Sequence, residues 1–145
     1  ARFAAMAADV CGHADAGATA LREAKYAWAG QLRASGDRDQ ALKLYKELAS
    51  DVKTREGSEA AYYVIEALFE SGDLDKTESE VFAFSDREPN AYWLAKAFLL
   101  LGDVYVRKGD TFQARATYQS VADGYSPADD GIVDEAKERI AKLKN

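Results

Sequence analysis

Apolar residues recur along the chain at helical spacing, on both sides of three similar polar turns. Ser35-Gly36-Asp37 returns as Ser71-Gly72-Asp73 and again as Lys108-Gly109-Asp110, with the glycines 36 and 37 residues apart. Four residues before each glycine stand Leu32, Leu68 and Tyr105, and eight before stand Trp28, Val64 and Leu101. Five after come the small Ala41, Thr77 and Ala114. Nine after come Tyr45, Val81 and Tyr118, and twelve after come Leu48, Phe84 and Val121. Offsets of three, four and eight keep apolar side chains on one face of a helix, and their return at a fixed period marks an internal repeat.

Each unit therefore reads as two helices joined by a glycine turn. The expected pairs are Ala20 to Ser35 with Arg38 to Asp51, Ser58 to Ser71 with Asp75 to Ser85, and Ala91 to Lys108 with Phe112 to Tyr125. The glycine supplies the left-handed residue that ends the first helix. The aspartate after it offers a side-chain oxygen to the free N–H groups of the second. Pro89 and Pro127 fall between units, where a helix must stop. Phe3, Met6 and Val10 repeat the spacing of Tyr118, Val121 and Tyr125, so the chain is expected to open on a helix left over from an upstream unit. Glu135-Ala136-Lys137 echoes Glu23-Ala24-Lys25, and Val133 to Lys144 reads as a first helix without its partner. The expected layout is a single domain, 1–145. It comprises a leftover helix at 1–16, repeats at 20–53, 57–89 and 91–127, and a capping helix at 131–145.

The third unit carries Leu101-Gly102, Tyr105, Gly109, Ala114, Tyr118 and Pro127. The second keeps Leu68, Gly72 and Pro89, and the first keeps Trp28, Leu32, Gly36, Ala41 and Tyr45. In this order the residues resemble the tetratricopeptide repeat, a helical hairpin of about 34 residues. The resemblance implies an all-α, right-handed α-solenoid of about three such hairpins with extra terminal helices. It also implies that Gly102 packs closely against Ala114. Ala29 and Ile65 stand where that glycine would fall in the other two units, and Ile65 opposite Thr77 is bulky enough to predict a splayed middle hairpin.

In that family the first helix of each unit lines a concave wall on which peptides lie. Carried over by helical position, the implied wall comprises Glu23, Tyr26 and Arg33; Glu59, Tyr62, Glu66 and Phe69; and Lys96, Asp103 and Arg107. A clamp for a peptide's terminal carboxylate, known in the family, would need cationic and amide side chains where Tyr26, Gly30 and Leu100 stand. The third unit and final helix also resemble the C-terminal end of long repeat proteins of the Gram-negative cell envelope. That implies a bacterial chain that is periplasmic, or membrane-associated through another part of the protein.

Composition narrows the function. With 19 basic and 25 acidic residues among 145, the net charge of −6 argues against a generic binder of nucleic acid or anionic membrane. Apolar runs such as Ala60 to Ile65 and Ala97 to Leu101 are too short to cross a bilayer. From Glu56 to Asn90 there are 10 acidic and 2 basic residues, an excess that favours a basic partner. The chain begins at Ala1 rather than Met, as expected of a processed chain or a piece of a longer one.

Candidate chemistry is sparse. Cys11-Gly12-His13 brings a thiol near the single imidazole, with no orienting third group beside it. Asp129-Asp130-Gly131 lacks the alternating ligands and closing glutamate of a calcium loop, and reads as a helix-capping segment. No Gly-x-x-x-x-Gly-Lys loop accompanies the Gly-Asp turns. The expectation is a scaffold that binds a protein or peptide through its concave face. It is not expected to be an enzyme or to hold a metal or cofactor. The alternative is self-association through exposed ends. A hydrolase or metal enzyme, the rival class, would need a convergent polar site.

Overall fold

The computed structural model describes residues 15–126 and 129–143, and among them the chain is all-helical. Seven helices are described: α1 (Asp15–Ala34), α2 (Arg38–Leu48), α3 (Arg55–Glu70), α4 (Leu74–Asp86), α5 (Ala91–Arg107), α6 (Thr111–Gly124) and α7 (Ile132–Lys142). The helices expected from the apolar spacing are all present from Ala20 onward. The largest difference is at α1, which begins five residues before the expected Ala20. Residues 1–14, with the expected leftover helix and the Cys11–His13 pair, lie outside the described residues, as does Pro127.

The three glycine turns share one construction. Gly36, Gly72 and Gly109 have φ of 91°, 88° and 79°, a region that a Cβ would strain. The aspartate after each glycine then serves two helices. Its N–H donates back five residues, to the carbonyls of Leu32 (2.9 Å), Leu68 (3.3 Å) and Tyr105 (2.9 Å). Its carboxylate accepts from the N–H three residues on, in Gln40 (3.3 Å), Lys76 (3.2 Å) and Gln113 (3.1 Å). One residue thus satisfies an orphan carbonyl of one helix and an orphan N–H of the next.

The chain divides into two compact units, residues 1–64 and 65–145, with the boundary inside α3. In the first, α1 packs on α2. Its core is Ala29, Ala41, Leu44, Tyr45, Leu48 and Ala60, bordered by Tyr26, Trp28, Leu32, Tyr63 and Val64. The turn before α3 is held by side chains: Thr54 Oγ1 donates to the Asp51 carbonyl (2.8 Å) and accepts from Gly57 N–H (3.0 Å). The fully buried Ser58 donates to the Val52 carbonyl at 2.6 Å. This capping starts α3 at Arg55, three residues before the expected Ser58.

In the second unit α5 packs against α4, α6 and α7. Its core joins Ala95 and Leu99 of α5, Ala114, Tyr118 and Val121 of α6, and Ile132 and Ala136 of α7. The close approach of α5 and α6 is made by a different pair than expected. A Cβ on Gly102 would lie 2.2 Å from Cε1 of Tyr118, so the tyrosine ring, rather than Ala114, fills the space over the glycine. Ile65 and Thr77, whose bulk predicts a splayed hairpin, are both buried. The Thr77 hydroxyl donates to the Asp73 carbonyl at 2.7 Å, which leaves no unpaired polar atom there.

A polar clasp joins α4 to α5. Lys108 Nζ meets Asp75 at 2.6 Å and Glu78 at 3.0 Å, and the Tyr105 hydroxyl donates to Glu78 at 2.5 Å. The Tyr105 hydrogen bond, followed by that of Lys108, holds the Glu78 carboxyl below its ordinary value. A lowered folded-state value stabilises the fold above the ordinary glutamate pKa, and that contribution is lost as pH falls through the lowered value. Thermal melts taken from pH 7 to pH 3 should show an acid-side loss that is smaller in Glu78→Gln. Identical acid profiles for the two proteins would remove Glu78 from the clasp.

Candidate functional site

The residues expected to form a binding wall separate into two groups. In the first unit they are tied to one another. The Tyr26 hydroxyl lies 2.9 Å from both carboxylate oxygens of Glu59, and Glu59 is only 8% exposed. Burial and this hydrogen bond push the Tyr26 hydroxyl up to about 12. The Arg33 guanidinium lies over the Tyr63 ring, 3.9 Å from its centre, and Tyr63 packs on Tyr45 at 4.9 Å. Tyr62 is 8% exposed and meets the edge of Tyr63 at 5.9 Å. Tyr62 and Glu59 therefore do not belong to an accessible wall, which corrects the expectation for both. Helical position alone placed them outward, and it does not register neighbours that pack over them. Glu23 is exposed, while Glu66 and Lys96 are half-buried.

In the second unit Phe69, Asp103 and Arg107 come together. They line a groove of about 430 Å³ with Val106 of α5, Tyr118 of α6, and Arg139, Lys142 and Leu143 at the end of α7. The Arg107 guanidinium lies over Phe69, 4.1 Å from the ring centre. Val106, 47% exposed, is one of the few large apolar side chains at the surface. At the base, the Tyr118 hydroxyl donates to Asp103 Oδ1, and Arg139 reaches Asp103 Oδ2 at 3.1 Å and Glu135 at 2.7 Å. Burial outweighs these partners and holds the Asp103 carboxyl above its ordinary value. The same burial, with Asp103 alongside, raises the Tyr118 hydroxyl.

Gly102 makes this base possible. Only with no Cβ can the Tyr118 ring lie against α5 and reach Asp103, one residue on. Residues 96–126, from within α5 to just past the end of α6, match the family model described as tetratricopeptide repeat. The chain carries a tetratricopeptide repeat. No curated protein matches it. Tetratricopeptide repeats are generally non-catalytic, and this one points to a protein–protein interaction scaffold.

Five members of the groove, Val106, Tyr118, Arg139, Lys142 and Leu143, are absent from the wall expected from the sequence. Reading α7 as a cap hid its part in lining the groove. The signal was present, since Arg139, Lys142 and Leu143 fall at offsets of three and four and so share a helical face. The Asp129-Asp130 segment serves its helix. The Asp130 carboxylate accepts from Ile132 N–H at 3.2 Å and from the Tyr125 hydroxyl. Among the described residues no group of three or more acidic, histidine or cysteine side chains is placed to hold a metal, and no helix is long and apolar enough to cross a membrane.

Proposed function

We propose that the chain is the interaction part of a larger scaffold, and that its second unit binds a protein or peptide in the groove of α5 and α7. Phe69, Asp103 and Arg107 carry over from the wall the sequence implies, joined by Val106, Arg139, Lys142 and Leu143. The repeats are proposed at 20–53, 57–89 and 91–127, supported by the identical aspartate-glycine construction of all three turns. The observation that carries the reading is the groove itself. Exposed apolar surface at Val106 stands beside an aromatic-stacked arginine, and the polar base is already hydrogen-bonded. Apolar contact area edged by satisfied polar groups is the common anatomy of a binding surface.

A photo-crosslinking residue at Val106 tests this against one at Phe112, which is 81% exposed on α6 and absent from the groove lining. Adducts to a heterologous protein should form from position 106 and be weak or missing from position 112. Adducts from position 112 alone would move the site off the groove. Adducts of twice the chain mass would instead favour self-association.

A further inference from the structure

Resting on the groove reading above, we propose that the occupant is an acidic peptide segment with an apolar side chain. Its carboxylates would meet Arg107 and Lys142, and its apolar side chain would lie against Val106 and Leu143. This reverses the basic partner favoured by the excess of acidic residues between Glu56 and Asn90. None of those acidic residues lines the groove, to which the stretch contributes Phe69. Two of its carboxylates, Asp75 and Glu78, are engaged by Lys108 elsewhere in the unit.

The groove's own charges are unequal. Arg107, Arg139 and Lys142 line it against the single acid Asp103. Arg139 is neutralised where it stands, by Asp103 and Glu135. Asp103 is committed to Tyr118 and Arg139, so it has little to offer an incoming cation. Neither Arg107 nor Lys142 forms an ion pair within 4 Å among the described residues, and Arg107 acts on Asp103, one helical turn earlier, only through its charge. The Phe69 ring holds the Arg107 guanidinium in the groove, 4.1 Å from the ring centre. A planar guanidinium suits a carboxylate, which it can engage with two parallel hydrogen bonds. Charge complementarity thus selects an anion, and Val106 and Leu143 select an apolar neighbour for it.

The test is an amide NMR titration of the whole chain with two short blocked peptides, one of glutamates and leucines, the other of lysines and leucines. The glutamate peptide should shift the amides of Val106, Arg107, Arg139 and Lys142. Its affinity should weaken with added salt, and should fall by roughly five- to tenfold in Arg107→Gln/Lys142→Gln. A well-dispersed spectrum of that variant shows that the fold is intact. Equal shifts from the lysine peptide, shifts centred elsewhere, or full affinity in the variant would each overturn the proposal. Should position 106 still crosslink a heterologous partner in that case, the groove reading stands and only its acidic occupant falls.

Discussion

Replacing Gly102 by alanine should lower the melting temperature by roughly 5–10 °C, from an overpacking cost of about 2–3 kcal/mol. The added Cβ would lie 2.2, 2.5 and 2.7 Å from three carbons of the Tyr118 ring. The ring cannot swing aside easily, because it is 2% exposed in the middle of the second unit's core and its hydroxyl is held by Asp103. The damage should be specific to that contact. In a Tyr118→Leu background, where the ring is gone, Gly102→Ala should cost markedly less, so the two changes are non-additive. Additive losses, or an unchanged melting temperature for Gly102→Ala, would mean that the ring does not lie on α5.

Gly57→Ala should cost as much or more, about 3 kcal/mol or above. Its Cβ would fall 1.8 Å from the Asp51 carbonyl oxygen and 2.7 Å from the carbonyl carbon, which are backbone atoms. That backbone is pinned by Thr54 and Ser58 through their bonds to Asp51 and Val52, so relief requires breaking the turn that starts α3. The glycine is needed here for closeness. Gly30 is the control: it lies within α1 with nothing inside 4 Å of its would-be Cβ. Gly30→Ala should stabilise by about 0.5–1 kcal/mol through helix propensity. Chemical denaturation of the three proteins would show opposite signs at the two positions. A tolerated Gly57→Ala would contradict the turn.

These two glycines show what the sequence made legible. The turn glycines Gly36, Gly72 and Gly109 announce themselves because each is followed by aspartate and flanked by apolar positions at fixed offsets. Periodicity likewise located every described helix to within a few residues. Gly57 gave no such signal, because its constraint comes from the folded-back Asp51 carbonyl, which no local pattern encodes. Gly102 was recognisable as a close-packing site, yet its partner was misassigned to Ala114. Which of two residues one helical turn apart fills a gap depends on helix rotation, and spacing does not fix that.

The candidate groove was legible in part for a related reason. Phe69, Asp103 and Arg107 were expected from position, and they do converge. Tyr62 and Glu59 were placed by the same rule and are buried. A helix face that looks outward in isolation is decided by what packs on it, and α3 carries both outcomes along one helix. Charge along the chain and charge in the groove are different quantities. The acidic stretch is real in sequence, but side chains of α5 and α7 set the local balance in the groove.

The groove of α5 and α7 as the contact surface is the central proposal. Photo-crosslinking from position 106, with position 112 in parallel and the adduct identified by mass, tests it most directly. A heterologous adduct is expected from position 106 and should be lost or much reduced at position 112. Heterologous adducts from position 112 with none from position 106 would contradict it.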